Sequence, residues 1–297
     1  DNLKVLYPPI DLTKFVLPNF EEKLSSNKKD TNPIVSLNRF ERKKNVSILL
    51  ESYALLLSNL QQQPQKDIPV PPLIIAGGYD PRNIENVQHL SELKHLATNL
   101  QISDKVQFAP NVNDTQRSSL LKNALCVVYT PHREHFGIVP LEAMYAGSPV
   151  IAVNSGGPRE TVKDTQTGFL VENTKEGFMG ALKTLVLDPK LAVAMGRNGH
   201  EYVRDNFGMD KFRSSWCKMV GEAMRRGDDR RRRQADDPGG RGMFVRLFGY
   251  LMEVIVAFCI AWIFTILLRS FGIVGEDSSV VGEVRSFFSK KKMADEL

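Results

Sequence analysis

Short apolar runs alternate with longer stretches of helical spacing along most of the chain. Pro33–Leu37, Pro72–Gly78, Lys105–Phe108, Ala124–Tyr129, Pro149–Val153 and Gly168–Val171 each read as a buried strand closed by turn residues. Between them the apolar positions recur at the spacing of one helix face. Val46, Leu49, Leu50, Tyr53, Leu56, Leu57 and Leu60 share such a face, which predicts a helix from about Asn45 to Gln61. Further helices are predicted from Asn83 or Ile84 to Thr98, from Asp114 to about Asn123 with Asn113 or Asp114 as N-cap, and from Ile138 to Tyr145, where Gly147 stops the pattern. Lys175–Leu187, Lys190–Asn206 and Met209–Met224 follow the last strand, separated by Asp188-Pro189 and by Gly208. This alternation predicts an α/β fold, a doubly wound parallel sheet over residues 33–224. The loops of such a sheet meet at the carboxyl ends of the strands, where ligands bind.

The pattern changes abruptly at both ends of that domain. Leu6–Asp11 reads as an edge strand or an interdomain connector, and the polar run Ser25–Asn32 as a loop. From Arg225 the sequence RRGDDRRRRQADDPGGRG is charged and glycine-rich, so residues 225–246 are predicted to form a flexible basic linker. Leu247–Leu268 is then a run of 22 residues with one charge, Glu253. About 20 apolar residues span a bilayer as a helix, so 247–268 is predicted to be a transmembrane helix, with 269–297 as a C-terminal tail. The uncharged part, Val254–Leu268, has only 15 residues, which leaves an interfacial or buried helix open. Arginines concentrated ahead of the span place the α/β domain in the cytosol.

Composition narrows the function classes. Hydrophobic residues make up 42% of the chain, enough to build a core. The net charge of +5 arises mainly from eight arginines between Arg225 and Arg246, so the chain as a whole does not read as a nucleic-acid binder. Cys126, Cys217 and Cys259 lie far apart, which points to a reducing compartment and no metal site. The five histidines lack metal-ligand spacing, and no D-x-D pair stands in the site region, so no metal cofactor is expected.

The chemistry concentrates in Tyr129–Glu160. An apolar run opens into a loop holding Glu134, His135, Phe136 and Gly137, and the helix from Ile138 follows; a second run opens into Ser155-Gly156-Gly157-Pro158. A helix start presents unpaired N–H groups at the positive end of its dipole and suits a phosphate. Glycines at 137, 156 and 157 allow a ligand close to the main chain. Glu134 and Glu142 can accept hydrogen bonds from the hydroxyls of a sugar and a ribose on either side of a diphosphate; read by themselves they are equally solvated charges. Gly77-Gly78 ends another strand, where close backbone approach is expected. In the basic loop Asn38–Asn45, Arg39 and Lys44 are the cations chosen for an anion, while Arg42 and Lys43 read as solvated.

Glu134–Glu142, E-H-F-G-I-V-P-L-E, resembles the E-x7-E signature of the retaining GT-B glycosyltransferases of family 4. The surrounding EHFGIVPLEAM and PVIAVNSGGP resemble mannosyltransferases of the dolichol pathway within it. The resemblance implies the Rossmann-like C-terminal domain of a GT-B enzyme. It also implies retaining α-1,3/1,6-mannosyl transfer from GDP-mannose to a dolichol-diphosphate-linked oligosaccharide, without metal, on the cytosolic side of the endoplasmic reticulum membrane. Residues 1–32 would then connect from an N-terminal acceptor domain missing from this chain, which begins at Asp1 and so reads as a fragment or processed form. In the implied roles Glu134 holds donor-sugar hydroxyls and steadies the anomeric cation, Glu142 binds the ribose, and Arg39 and Lys44, spaced R-x4-K, clamp the diphosphate. The backbone of Gly137 and Ile138 caps phosphate oxygens, Asn111 and Val112 meet the base, and His135, Phe136, Gly77, Gly78 and Gly157 complete the substrate-binding set. Another GT-B nucleotide-sugar transferase, or a non-catalytic membrane-tethered donor-binding fragment, stays open as an alternative.

Overall fold

A computed structural model describes residues 4–15, 17–25, 32–62, 68–235 and 242–270. The chain divides into two compact units, residues 1–217 and 218–297. The first contains a six-stranded parallel sheet in the order β3-β2-β1-β4-β5-β6. Its strands are β1 (Ile34–Leu37), β2 (Leu73–Gly77), β3 (Val106–Pro110), β4 (Cys126–Tyr129), β5 (Val150–Val153) and β6 (Gly168–Val171). The helices are α1 (Phe20–Ser25), α2 (Ser47–Gln61), α3 (Ile84–Asn99), α4 (Asp114–Asn123), α5 (Ile138–Tyr145), α6 (Pro158–Thr161), α7 (Lys175–Leu187), α8 (Pro189–Phe207), α9 (Met209–Ala235) and α10 (Gly242–Ser270).

All six expected strands form because the sheet is covered on both faces, so each central strand is apolar throughout rather than alternating. Every residue of β1, β4 and β5 is buried. Successive side chains still point to opposite faces. Ile34, Val128 and Ile151 enter one core with α2, α3 and α7, while Val35, Val127 and Ala152 enter the other with Leu121 of α4 and with α5. Helix α8 joins both, through Ala192 and Met195 on one side and Val203 and Phe207 on the other. The strand order reverses between β1 and β4, where Ile34 faces Cys126 and Val35 faces Val127. The loops leaving those strands diverge there and open a crevice at their carboxyl ends.

Three expectations change. Helix α2 begins two residues later than predicted, because Arg42–Lys44 forms a 3-10 turn that Asn45 closes in the left-handed region, φ 50°, which asparagine tolerates. Of the two readings of Leu6–Asp11, the edge strand does not form, since Ile10 makes a single parallel bridge with Gly208, and the connector reading is untouched by this. The predicted linker is helical at both ends, since α9 runs on to Ala235 and α10 starts at Gly242; residues 236–241 lie outside the described residues, as do 26–31 of the expected loop. Arginine is a good helix former, and Arg226 pairs with Glu222 and Arg231 with Asp228 at helical spacing, so a charged sequence that reads as solvated coil continues as helix.

The second unit carries α10, where the transmembrane span was expected. Its one mid-run charge, Glu253, is met by Arg231 at 2.9 Å. Among the described residues no helix is long and apolar enough to cross a membrane. Residues 271–297 of the predicted tail lie outside the described residues.

Lys23 is an exception to the rule that charges stay outside. Its Nζ donates to the Gly147 carbonyl at 2.8 Å, and burial pushes its pKa down to about 8 from the ordinary 10.5. The fold therefore holds fewer protons at this site than the unfolded chain between those values. The penalty of a buried ammonium is present below pH 8 and is relieved as pH rises toward 10.5. Stability is expected to rise across that interval by an amount on the order of 3 kcal/mol, and Lys23→Met is expected to lose that rise. Denaturant unfolding at several pH values measures it, and an identical pH dependence in the variant would remove the assignment.

Candidate active site

The loop after β1 and the loop after β4 are tied together at the reversal of the sheet. Thr130 Oγ1 donates to the Lys44 carbonyl at 2.6 Å, and Lys44 Nζ donates to Glu134 Oε2 at 2.5 Å. The two side chains are mostly shielded, 12% exposed for Lys44 and 27% for Glu134. The Lys44 ammonium hydrogen bond holds the Glu134 carboxyl below the usual carboxylate range, against the opposing effect of partial burial; the charges of Lys44, His135 and Lys43 add to it. Glu134 is thus kept as an anion.

The β5–α6 loop seats the loop that carries Glu134. Gly157 N–H donates to the Glu134 carbonyl at 2.7 Å, and Arg133 N–H donates to Ser155 Oγ at 3.0 Å. A Cβ on Gly157 would stand 2.1 Å from the Phe136 carbonyl oxygen, and one on Gly156, at φ +59°, would stand 2.2 Å from the Glu134 carbonyl oxygen. The glycine pair therefore lets one loop lie flat on the other. Gly157 itself is buried behind the loop. Phe136 turns the same way: it stacks on Tyr7 with ring centroids 5.7 Å apart and packs beside Phe207. His135 is exposed and, with Arg133, Glu134, Gly156, Arg159 and Glu160, lines a cleft of about 530 Å³. Tyr7 Oη donates to Glu160 at 2.8 Å on that side.

Three residues beyond Glu134, Gly137 stands at the N-cap of α5 with φ 75°, and no side chain caps the helix. Its first-turn N–H groups are left for another acceptor. Ile138 stands exposed at this end.

The remaining expected residues are placed around this pair. Arg39 lies 61% exposed with Nη1 3.0 Å from Glu41 Oε1, its stem beside Gly78. It does not join Lys44 on Glu134. Lys43, expected to be solvated, pairs with the other Glu41 oxygen at 3.1 Å, and Arg42 pairs with Glu92 of α3. A Cβ on Gly77, at φ +153°, would strike the Asn38 carbonyl oxygen at 1.9 Å, so the β1 and β2 tips touch there. Asn111 is engaged by Tyr79, accepting from its N–H at 2.8 Å and donating to its carbonyl at 2.7 Å. Val112 packs partly into the core. Glu142 is neither solvated nor exposed: it is buried in α5 and paired with Arg117 of α4. Sequence reading missed Glu41 and Arg117, since each is defined by a partner that folding brings to it. Among the described residues no group of three or more His, Cys, Asp or Glu is placed to hold a metal ion.

With this geometry in place, the comparison with known proteins is decisive about the family. The family profile described as glycosyl transferases group 1 matches residues 19–202. This chain belongs to the group 1 glycosyl transferases. Within that family it is 42% identical over 219 residues to the α-1,3/1,6-mannosyltransferase ALG2 of Homo sapiens, a match covering 73% of this chain and 51% of that protein. ALG2 of Dictyostelium discoideum is 40% identical over 228 residues, covering 73% and 54%. The chain spans about half the length of these curated relatives. Among solved structures, sucrose-phosphate synthase from Thermosynechococcus elongatus is 26% identical with TM-score 0.61, covering 74% of this chain and 52% of that one. The C-terminal domain of LpcC from Francisella tularensis shares the fold at TM-score 0.54 and 22% identity, covering 67% of this chain and 99% of that domain.

Proposed function

We propose that this chain is the donor-binding half of a retaining α-1,3/1,6-mannosyltransferase that takes mannose from GDP-mannose and passes it to a dolichol-diphosphate-linked oligosaccharide. The observation that carries the reading is the Lys44–Glu134 contact at the sheet reversal, three residues from the uncapped start of α5. The donor diphosphate enters between Lys44 and the N–H groups of Gly137 and Ile138. As the bond from C1 to the phosphate oxygen breaks, negative charge grows on the leaving diphosphate, and fixed donors aimed at that charge favour the transition state. Glu134, already ionised, accepts hydrogen bonds from donor-sugar hydroxyls and steadies the positive anomeric centre. Arg39, whose side chain is exposed, adds a second cation by leaving Glu41. Glu142 receives the ribose, and the main chain near Asn111 and Val112 meets the base. No metal is given a role, because Lys44, Arg39 and the helix start supply the positive charge.

Mannose rests on the identity to the ALG2 mannosyltransferases, and guanine and the lipid-linked acceptor rest on the family resemblance of the Glu134–Glu142 stretch. Attachment to a membrane is supported by α10, which leaves Phe248, Tyr250, Phe258 and Trp262 exposed, and the cytosolic side for the α/β domain rests on the arginines ahead of that helix. The half-length match favours a second reading, a donor-binding module that transfers nothing by itself; turnover by the chain alone would remove it. Titration calorimetry tests the donor. GDP and GDP-mannose are expected to bind at least about tenfold more tightly than UDP-glucose, with or without EDTA. Preference for UDP-glucose would overturn the guanine nucleotide, and loss of binding in EDTA would overturn the metal-free clamp.

A further inference from the structure

The register between β1 and β4 covers two pairs, Ile34 with Cys126 and Val35 with Val127, and each strand then runs two residues further, to Leu37 and Tyr129. At the diverging tips a side chain does the joining: Thr130 Oγ1 donates to the Lys44 carbonyl at 2.6 Å, across 86 positions of sequence. Thr130 is a stiff donor. It is fully buried and branched at Cβ, and Pro131 behind it restricts its backbone to extended conformations. A buried hydroxyl needs a partner, and those of Ser52 and Thr161 find theirs four positions back, at the carbonyls of Ile48 and Gly157. Thr130 instead reaches the main chain of the residue whose ammonium meets Glu134. Lys44 is fixed from its own side as well. It ends the 3-10 turn Arg42–Lys44, its N–H donates to the Glu41 carbonyl at 2.9 Å, and Asn45 follows at φ 50°.

From these observations we infer that Thr130 is a positioning residue for Lys44: its hydroxyl pins the Lys44 carbonyl and so sets where the ammonium stands between Glu134 and the donor diphosphate. The diphosphate half of this rests on the donor reading given above, and the Glu134 half does not. A lysine stem is flexible, and its head group keeps one place only when the main chain beneath it is anchored. Without the hydroxyl the 3-10 turn is free to shift on the β4 tip, Nζ loses its fixed place, and the hydrogen bond that keeps Glu134 ionised weakens. A clamp that is formed in advance then becomes one that must be ordered at binding, which costs affinity.

Two substitutions in the whole chain separate this role from packing. Thr130→Val keeps the shape and removes the donor, whereas Thr130→Ser keeps the donor and removes a methyl. NMR titration of the Glu134 carboxyl without ligand reads the contact, and calorimetry with GDP reads the clamp. Thr130→Val is expected to move the Glu134 titration up toward the ordinary carboxylate range and to weaken GDP about tenfold, close to the worth of one hydrogen bond. Thr130→Ser is expected to leave both near those of the unaltered chain. An unmoved titration in Thr130→Val would overturn the inference, and so would greater damage from serine than from valine, which would make the threonine a packing residue only. Lys44→Ala tells these failures from failure of the donor reading. If it binds GDP as tightly as the unaltered chain, the diphosphate reading falls, and the Glu134 titration alone decides the role of Thr130. If Lys44→Ala weakens GDP and Thr130→Val does not, only the role of Thr130 fails. Should Thr130→Val not fold, Thr130→Ala, which removes the donor without adding bulk, carries the same two measurements.

Discussion

Lys44→Ala and Glu134→Ala are each expected to abolish the mannose transfer proposed above, while the sheet stays folded. Neither residue belongs to the two hydrophobic cores, so the packing of the sheet does not depend on their contact. The effect on transfer is of another size. Removing one fixed donor from a growing anion typically slows a reaction by about a hundredfold to a thousandfold, and here the same change also takes from Glu134 the cation that hydrogen-bonds it. A Lys44→Arg replacement is expected to recover little, since a planar fork does not fit where a compact, largely shielded ammonium sits. The pH dependence has a definite sign. The Glu134 carboxyl is held low by Lys44, so the contact is present above the ordinary carboxylate range and is lost as pH falls through the lowered value. Without Lys44 that loss moves to higher pH. Transfer of labelled mannose, alongside circular dichroism, measures both effects; wild-type transfer by either alanine variant would remove that residue from the site.

Gly157→Ala is expected to damage the fold and the site together. The new Cβ would lie 2.1 Å from the Phe136 carbonyl oxygen and 2.4 Å from its carbonyl carbon and Cα, and all of these are backbone atoms that no rotamer can move. Either the β5–α6 loop lifts or the Glu134 loop does. Overpacking of this kind costs about 2 to 3 kcal/mol. For a domain of this size that lowers Tm by roughly 5 to 10 °C. Because Gly157 N–H also holds the Glu134 carbonyl, Glu134 is displaced from Lys44 and transfer falls together with stability. Thermal unfolding with parallel activity measurement checks this, and an unchanged Tm would mean that the two loops are not pressed together.

The fold was largely legible because a parallel sheet buried on both faces leaves unbroken apolar runs, and six of these stand in the sequence at the observed strands. What escaped was set by distant partners or by competing local preferences. The arginine-rich stretch after Met224 carries the composition of a linker, yet its side chains pair at helical spacing and α9 continues to Ala235. Lys44 and Glu134 were each legible as residues at strand ends, and the order of the sheet, which brings β1 beside β4, makes them a pair. Gly157 reads as a place where a ligand nears the main chain, and what the sequence did not show is that its missing side chain also makes room for the backbone of Phe136. Arg117 carried no local signal at all, since its partner Glu142 stands 25 positions away on another helix.

The most direct measurement is titration of GDP-mannose into the 297-residue chain and into its Lys44→Ala variant under identical conditions. Saturable binding by the unaltered chain, weakened at least about tenfold in the variant, is the expected result for a diphosphate seated between Lys44 and the start of α5. Equal affinity of the two proteins, or no binding by either, would contradict it.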